Sequence, residues 1–405
     1  MTLPFADQLA AIPESDTARR AAAVRYTELG LPTPRDEKWK YTNLSFLESR
    51  ELNGPAGVAS AVTPILETSH RLVFTNGVLD TAMSSIDLPK TVRLISAVPS
   101  NDSRAWAIDD TAVSALNTAL SSGAVELMIE ENADIERPIE ILFSADGKQS
   151  NHVNLRVTLN EGASATLVER HIYRDSPTST LVTGIDLCPA SRLRHYRMHE
   201  GDADAVSLVD TRISMGANAS YEAFSLITGG RLSRHEVTVE LNGPGAEVHL
   251  NGAHVLSGQS HADTTTEIRH MAPHCASRET YRHVMDGSAR SVFQGKIYVA
   301  EGAQKTDGFQ LNQSLMLSAT AEVNAKPELE IYADDVKCSH GATSGRLDEE
   351  ALFYLRSRGI PETDARAMLV EAFIGASIDL ITDQTVREAF RARAARSLAT
   401  REQGE

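Results

Sequence analysis

From about Val125 to Ala333 the chain runs in short alternating stretches, among them Asn154 to Leu159 (NLRVTL), Ser164 to Glu169 (SATLVE), Glu236 to Leu241 (EVTVEL) and Glu328 to Tyr332 (ELEIY). Alternation with a period of two puts every second side chain on one face, which is the pattern of half-buried strands. Glycine-led turns separate the stretches, at Gly162, Gly216, Gly245, Gly287 and Gly302. Their spacing is irregular and yields no counted repeat. On pattern alone, so many short strands with so few helices fit a β-solenoid, a cupin-like double barrel or a sandwich equally well.

Different patterns flank this zone, and they divide the chain into a helical or mixed region over residues 1–124, a strand zone over 125–343 and a helical domain over 344–405. Near the start, Asp16 is placed to cap a helix that Gly30 ends and that Pro32 and Pro34 forbid from continuing. A strand is expected at Arg71 to Asn76 and a helix at Thr111 to Ser121. Near the end, Asp348 caps a helix with Glu349 and Glu350 in its first turn, Arg356 and Arg358 in its last, and Gly359 after it. A second helix from about Pro361 carries Ala365, Met368, Leu369, Ala372, Phe373 and Ala376 on one apolar stripe. A third starts at Asp383, with Val386, Phe390 and Ala394 on one face. If the strands form a solenoid, these helical parts are suited to cover its two open ends. The tail after Leu347 is expected to be separable from the strands.

Composition excludes several classes of function. A net charge of -16 over 405 residues argues against a nucleic-acid footprint, which needs clustered Lys and Arg. The late cluster of Arg387, Arg391, Arg393, Arg396 and Arg401 reads as a solvated helix face. Three distant cysteines, Cys188, Cys275 and Cys338, make no disulfide framework, and the cytoplasm is the expected compartment. The first residues lack the basic and apolar regions of a secretory signal, and no apolar run reaches the ~20 residues of a membrane span. No P-loop, HExxH, nucleophile elbow or GxGxxG is present, so ATP enters only through a partner and an enzyme is not expected.

Nine of the thirteen histidines lie between His195 and His283. His195 and His199 are four apart, as are His270 and His274, and with Cys275 they form a weak candidate for a mononuclear metal site. Scattered surface histidines are the ordinary alternative. Cys338 and His340 make a stronger pair, because residues i and i+2 of a strand point the same way and thiolate and imidazole both suit iron. Against this stand a simply buried cysteine and a turn histidine ahead of Gly341.

Three segments carry a resemblance that spans almost the whole chain: PRDEKWKYTNL from Pro34, NEGASATLVERH from Asn160, and YADDVKCSHGATSGRLDEEALFYLRSRGI from Tyr332. Together they resemble the SufB/SufD family of iron-sulfur cluster assembly scaffolds, and the single-cysteine form KCSHGATSGR is similar to its SufD branch. The resemblance implies a mainly β fold, a right-handed parallel β-helix flanked by N-terminal and C-terminal helical parts. It implies a scaffold subunit of a SufBCD-type complex that pairs with a SufB-like subunit through the β-helix and docks a SufC-type ABC ATPase on its C-terminal helices. Phe353, Arg356, Arg358, Met368, Leu369 and Phe373 are the docking candidates. A transient iron-sulfur cluster or iron is expected at the subunit interface near His340 and Cys338, with no tightly bound metal or cofactor; pairing of the isolated chain with itself stays open. No cysteine lies between Cys275 and Cys338, where SufB-like chains carry a sulfur acceptor. The alternative is a cupin-like metalloenzyme using the histidine-rich zone.

Overall fold

A computed structural model describes residues 3–54, 62–85, 87–97 and 111–402. The strands wind into a β-solenoid of about eight turns, each turn giving one strand to each of two sheets. One sheet has ten strands, from Val78–Leu79 to Lys337–Gly345, and the other has nine, from Val92–Ala97 to Glu322–Ile331. Apart from one antiparallel strand at the start of each sheet, all neighbours are parallel. A cupin-like barrel of antiparallel strands is thereby excluded, and with it the alternative drawn from that fold. The strand His70–Thr75 pairs with Ile139–Asp146, so the solenoid reaches back well before residue 125.

Most strands are ten residues long, longer than the alternating runs. The physical reason is burial on both faces: Thr178–Leu187 is buried at nine of its ten positions, and a strand covered on both sides does not alternate. The missing repeat has an equally simple cause. Ser150 lies beside Thr178 and Thr178 beside Val206, 28 residues per turn, yet Val206 lies beside Leu232, 26 on, and Arg290 beside Glu322, 32 on. The strands keep their length while the corners absorb the difference.

Among the described residues six α-helices accompany the solenoid: α1 (Ala6–Ala10), α2 (Thr17–Leu29), α3 (Ala112–Leu120), α4 (Glu349–Ser357), α5 (Glu362–Ile378) and α6 (Gln384–Glu402). The expected caps form: the Asp16 side chain accepts from the Arg19 amide, Asp348 from Glu350 and Ala351, and Asp383 from Val386. Val386, Phe390 and Ala394 are buried as one face of α6. The stripe of α5 behaves differently. Val370, Ile374 and Ile378 form its buried face, whereas Met368, Ala372 and Ala376 are exposed.

Two expectations about the helical tail are overturned. First, α5 and α6 do not plug the end of the solenoid but pack on its flank, where Ile374, Ile378 and Phe390 share one core with Tyr196, Phe224, Val255 and Val284. Second, the tail after Leu347 is not set apart from the strands but shares that core with them, and removing it would strip the flank to water at ~25 cal/mol per Å2 of apolar surface. On the opposite sheet, residues 37–47 lie as a strap, with Trp39, Leu44 and Leu47 buried against Val206, Leu208 and Leu232.

The two ends of the solenoid differ. At the start, antiparallel strands finish the sheets over a core that includes Leu72, Phe74, Ile139, Ile141 and Phe143. At the finish, no strand among the described residues pairs with the outer edges of Glu322–Ile331 and Lys337–Gly345. Pro327 fits there, because a proline cannot donate to a further rung.

Candidate functional site

Cys338 and His340 both lie on Lys337–Gly345, the last strand of the solenoid, within the strand rather than in a turn. Their register partners are Gly308 and Gln310, both buried on the interior face of Asp307–Met316. The pair therefore shares the interior side, at a layer that no further turn covers. Cys338 is half-buried against Ile297 and Val299, while His340 is exposed. Gly308 leaves the sulfur its space, since a Cβ there would sit 3.3 Å from Sγ. Burial pushes the Cys338 thiol up, so it stays protonated at neutral pH until a metal displaces the proton.

Beneath this pair the interior turns polar. Gln310 is fully buried, and its Nε2 donates to Glu279 Oε2 at 2.6 Å. Burial raises the Glu279 carboxyl to about 7. Across the core, the backbone of Gly295 makes room for this amide: a Cβ there would lie 2.0 Å from Gln310 Nε2. Alongside, His283 meets Ser291 Oγ at 2.9 Å and stacks on His254 with ring centres 4.1 Å apart.

Two soft donors from one chain are half of a metal site, because iron and zinc centres in proteins take about four ligands. Among the described residues no group of three or more His, Cys, Asp and Glu side chains is arranged to hold a metal ion.

Comparison with known proteins identifies the family. Residues 142–373 match the family model for the SufBD core domain of the SUF system of FeS cluster assembly, a span that takes in Cys338, His340 and most of α5. The chain belongs to the SufBD family. It is 32% identical over 380 residues to the iron-sulfur cluster assembly protein SufD of Escherichia coli, covering 90% of this chain and 88% of that one. A SufBD family protein of Synechocystis is 31% identical, covering 90% and 86%. The SufD of Bacillus subtilis is 28% identical over 69% and 65%.

In this SufBD chain most of the histidines from His171 to His283 lie inside the solenoid, and among the described residues no three donors are grouped there to hold a metal ion. Phe74, Phe143, His171, His199, Ile227, His254, His283, Ser314 and Ser344 are successive register partners, one per turn, along a single interior column. Phe143 stacks on His171 at 4.5 Å. Burial lowers His171 to about 4 and His283 to about 3, so both are neutral hydrogen-bonding rings. Glu169 Oε2 accepts from His171 at 2.9 Å, and His195 lies 3.1 Å from Oε1; burial would raise this carboxyl, but His195 beside it and the hydrogen bond from His171 hold it well below its usual range. His270 is buried at the end of a strand, while His274 stands in a turn with φ 61°, so those two share no strand face. Cys275 is buried, its Sγ 3.3 Å from the Gly243 carbonyl.

The docking candidates separate by exposure. Phe353 is 72% exposed and Met368 49%, with Tyr354 beside them; Leu369 is half-buried. Arg356 pairs with Glu362 at 3.4 Å, and Arg358 lies over the Tyr354 ring. Phe373 faces the solenoid: the Arg282 guanidinium donates to its carbonyl at 2.7 Å and sits 5.0 Å from its ring centre. No helix among the described residues is long and apolar enough to cross a membrane.

The N-terminal motif has a role that its sequence did not announce. Arg234 stacks on Trp39 at 3.9 Å and pairs with buried Asp263, which also accepts from Thr42. Lys38 reaches Glu236 at 2.9 Å and Glu267 at 3.1 Å, and its carbonyl accepts from Arg234 and Gln294. The motif is a strap laid across several turns.

Proposed function

We propose that this chain is a non-enzymatic scaffold subunit of a cytoplasmic SufBCD-type complex, pairing through the open end of its solenoid with a SufB-like subunit. The observation that carries the reading is the incomplete donor pair, Cys338 and His340, at an end of the solenoid that no strand among the described residues covers. A second chain seated there would bury the free sheet edges, which otherwise invite unwanted pairing, and would add the missing ligands around a nascent cluster. The cluster is cargo: it leaves with its acceptor, and no cofactor stays with the chain.

The exposed apolar side chains of α4 and α5, led by Phe353 and Met368, are the docking face for a SufC-type ATPase. ATP is bound and hydrolysed there and not on this chain. Movement of α5 reaches the solenoid through Arg282, which holds the Phe373 carbonyl, and movement of α6 through Arg393, which meets Glu200 at 2.5 Å. Such coupling requires the nucleotide state to favour one arrangement over the other.

Co-expression with SufB-like and SufC-type chains and a tag on this chain tests the reading. Both chains should be recovered, and His340→Ala should keep them while losing most of the cluster. Recovery of neither chain, or a full cluster content in His340→Ala, overturns it.

A further inference from the structure

His340 needs a second hydrogen-bonding partner if one ring nitrogen is to face iron. Histidine ligands almost always donate their other N–H to a carboxylate or carbonyl, which fixes the tautomer and the ring plane. His340 has no carboxylate as a register partner; its neighbour on the rung below is Gln310, ~4.8 Å away along the sheet. The Gln310 amide is not free to turn. Its Nε2 is held by Glu279 Oε2 at 2.6 Å in the space opened by Gly295, and its Oε1 is buried with no hydrogen-bond partner. A buried acceptor without a donor is costly, and such groups in native proteins call for an explanation.

We propose that Gln310, oriented by Glu279, is the positioning residue for His340, its Oε1 accepting one ring N–H so that the other nitrogen presents its lone pair to iron at the open end. The inference rests on the reading of His340 as a cluster ligand given above, and adds to it the two residues that prepare that ligand. Glu279, Gln310 and His340 occupy successive turns in one column, since Glu279 pairs in register with Gln310 and Gln310 with His340. A carboxylate that accepts, an amide that donates and accepts, and an imidazole that donates form a chain with one direction. Neither Glu279 nor Gln310 touches the metal.

The test uses 15N-histidine spectra of the full chain at neutral pH, with the His340 signal assigned by its loss in His340→Ala, together with cluster content of the co-purified complex. Wild-type His340 should show one neutral tautomer. Gln310→Leu should show both, and its cluster content should fall roughly tenfold, the usual scale for loss of such a partner, with complex recovery unchanged. If that variant fails to fold, the unbranched Gln310→Met carries the same expectation. In the double variant Glu279→Gln with Gln310→Glu the amide donates to the carboxylate, whose other oxygen again accepts from His340, so the single tautomer and the cluster should return. A wild-type ring in both tautomers, a Gln310→Leu ring still in one, or a double variant that restores neither readout overturns the proposal. Full cluster content in His340→Ala would instead overturn the ligand reading, a separate outcome that the tautomer spectra do not decide.

Discussion

The two ends of the solenoid are built from the same strand pairing and finished in opposite ways. At the first end the layers are apolar, with Phe74 stacked on Phe143 at 5.1 Å and Leu72, Ile139 and Ile141 buried around them. The last end has Glu279, His283, Gln310, Asn312 and Ser314 inside, and a terminal strand exposed at most positions. Apolar layers are stabilised by the fold itself, whereas buried polar layers need every partner in place. The difference teaches that this solenoid closes one end with apolar layers and leaves polar layers at the other.

The largest effect should come from the closed end. Phe143→Ala removes a ring packed between Phe74 and His171 and should cost about 3–5 kcal/mol, read as a lower denaturation midpoint in urea. Cys338→Ala should cost less than about 1 kcal/mol by the same measurement. Comparable losses would break the comparison. Asp263→Ala comes next: it leaves buried Arg234 with Glu236 alone, 3.3 Å away, and frees Thr42, at about 2–3 kcal/mol. Limited proteolysis should then cut between residues 31 and 50 well before the strands, and a strap as resistant as the wild type's would remove its anchoring role.

Acid and base should act oppositely through two buried groups, His171 and Glu279. Burial lowers His171 from 6.5 to about 4, so below pH 6.5 the unfolded chain takes up a proton that the fold refuses, and stability falls as pH drops through that window. Burial raises Glu279 from 4.5 to about 7, so between those values the unfolded chain has lost a proton that the fold keeps, and stability falls as pH rises. Melting temperatures of Glu279→Gln across pH 4.5 to 8 should lose the second decline and retain the first. An unchanged profile would show that Glu279 is not buried as described. The smallest effect on stability belongs to Phe353→Asp and Met368→Glu, within about 0.5 kcal/mol because both side chains face solvent. Their recovery of a SufC-type ATPase should nevertheless drop sharply, and normal recovery would move the docking face elsewhere.

What could be read from the sequence was what is local. The caps at Asp16, Asp348 and Asp383 were legible because a cap is decided within four residues. Cys338 and His340 could be placed on one face because the rule for i and i+2 needs only a strand. The turn count was hidden by corners of unequal length, and the strand ends by outer faces that α5, α6 and the strap bury. The histidine column needed the turn length before it could be seen. Spacings of 28 from Phe143 to His171, His199 and Ile227 were its one available signal. The buried face of α5 was missed because its stripe of Met368, Ala372 and Ala376 is as apolar as the face that packs, and sequence alone does not say which of two apolar faces is free.

The strap also sets an order of events. Arg50 donates to the carbonyls of Ser176 and Asp204, Thr42 reaches Asp263, the Lys38 carbonyl meets Gln294, and Glu37 meets Lys326. Residues 37–50 thus bind the turns in reverse, the earlier of them lying on the later turns. During synthesis, which delivers the N-terminus first, this segment cannot complete its contacts until the ribosome has released the chain past Lys326. Trp39 and Leu44 must wait at least until Leu232 has been made, and a segment made early is among the last to find its place.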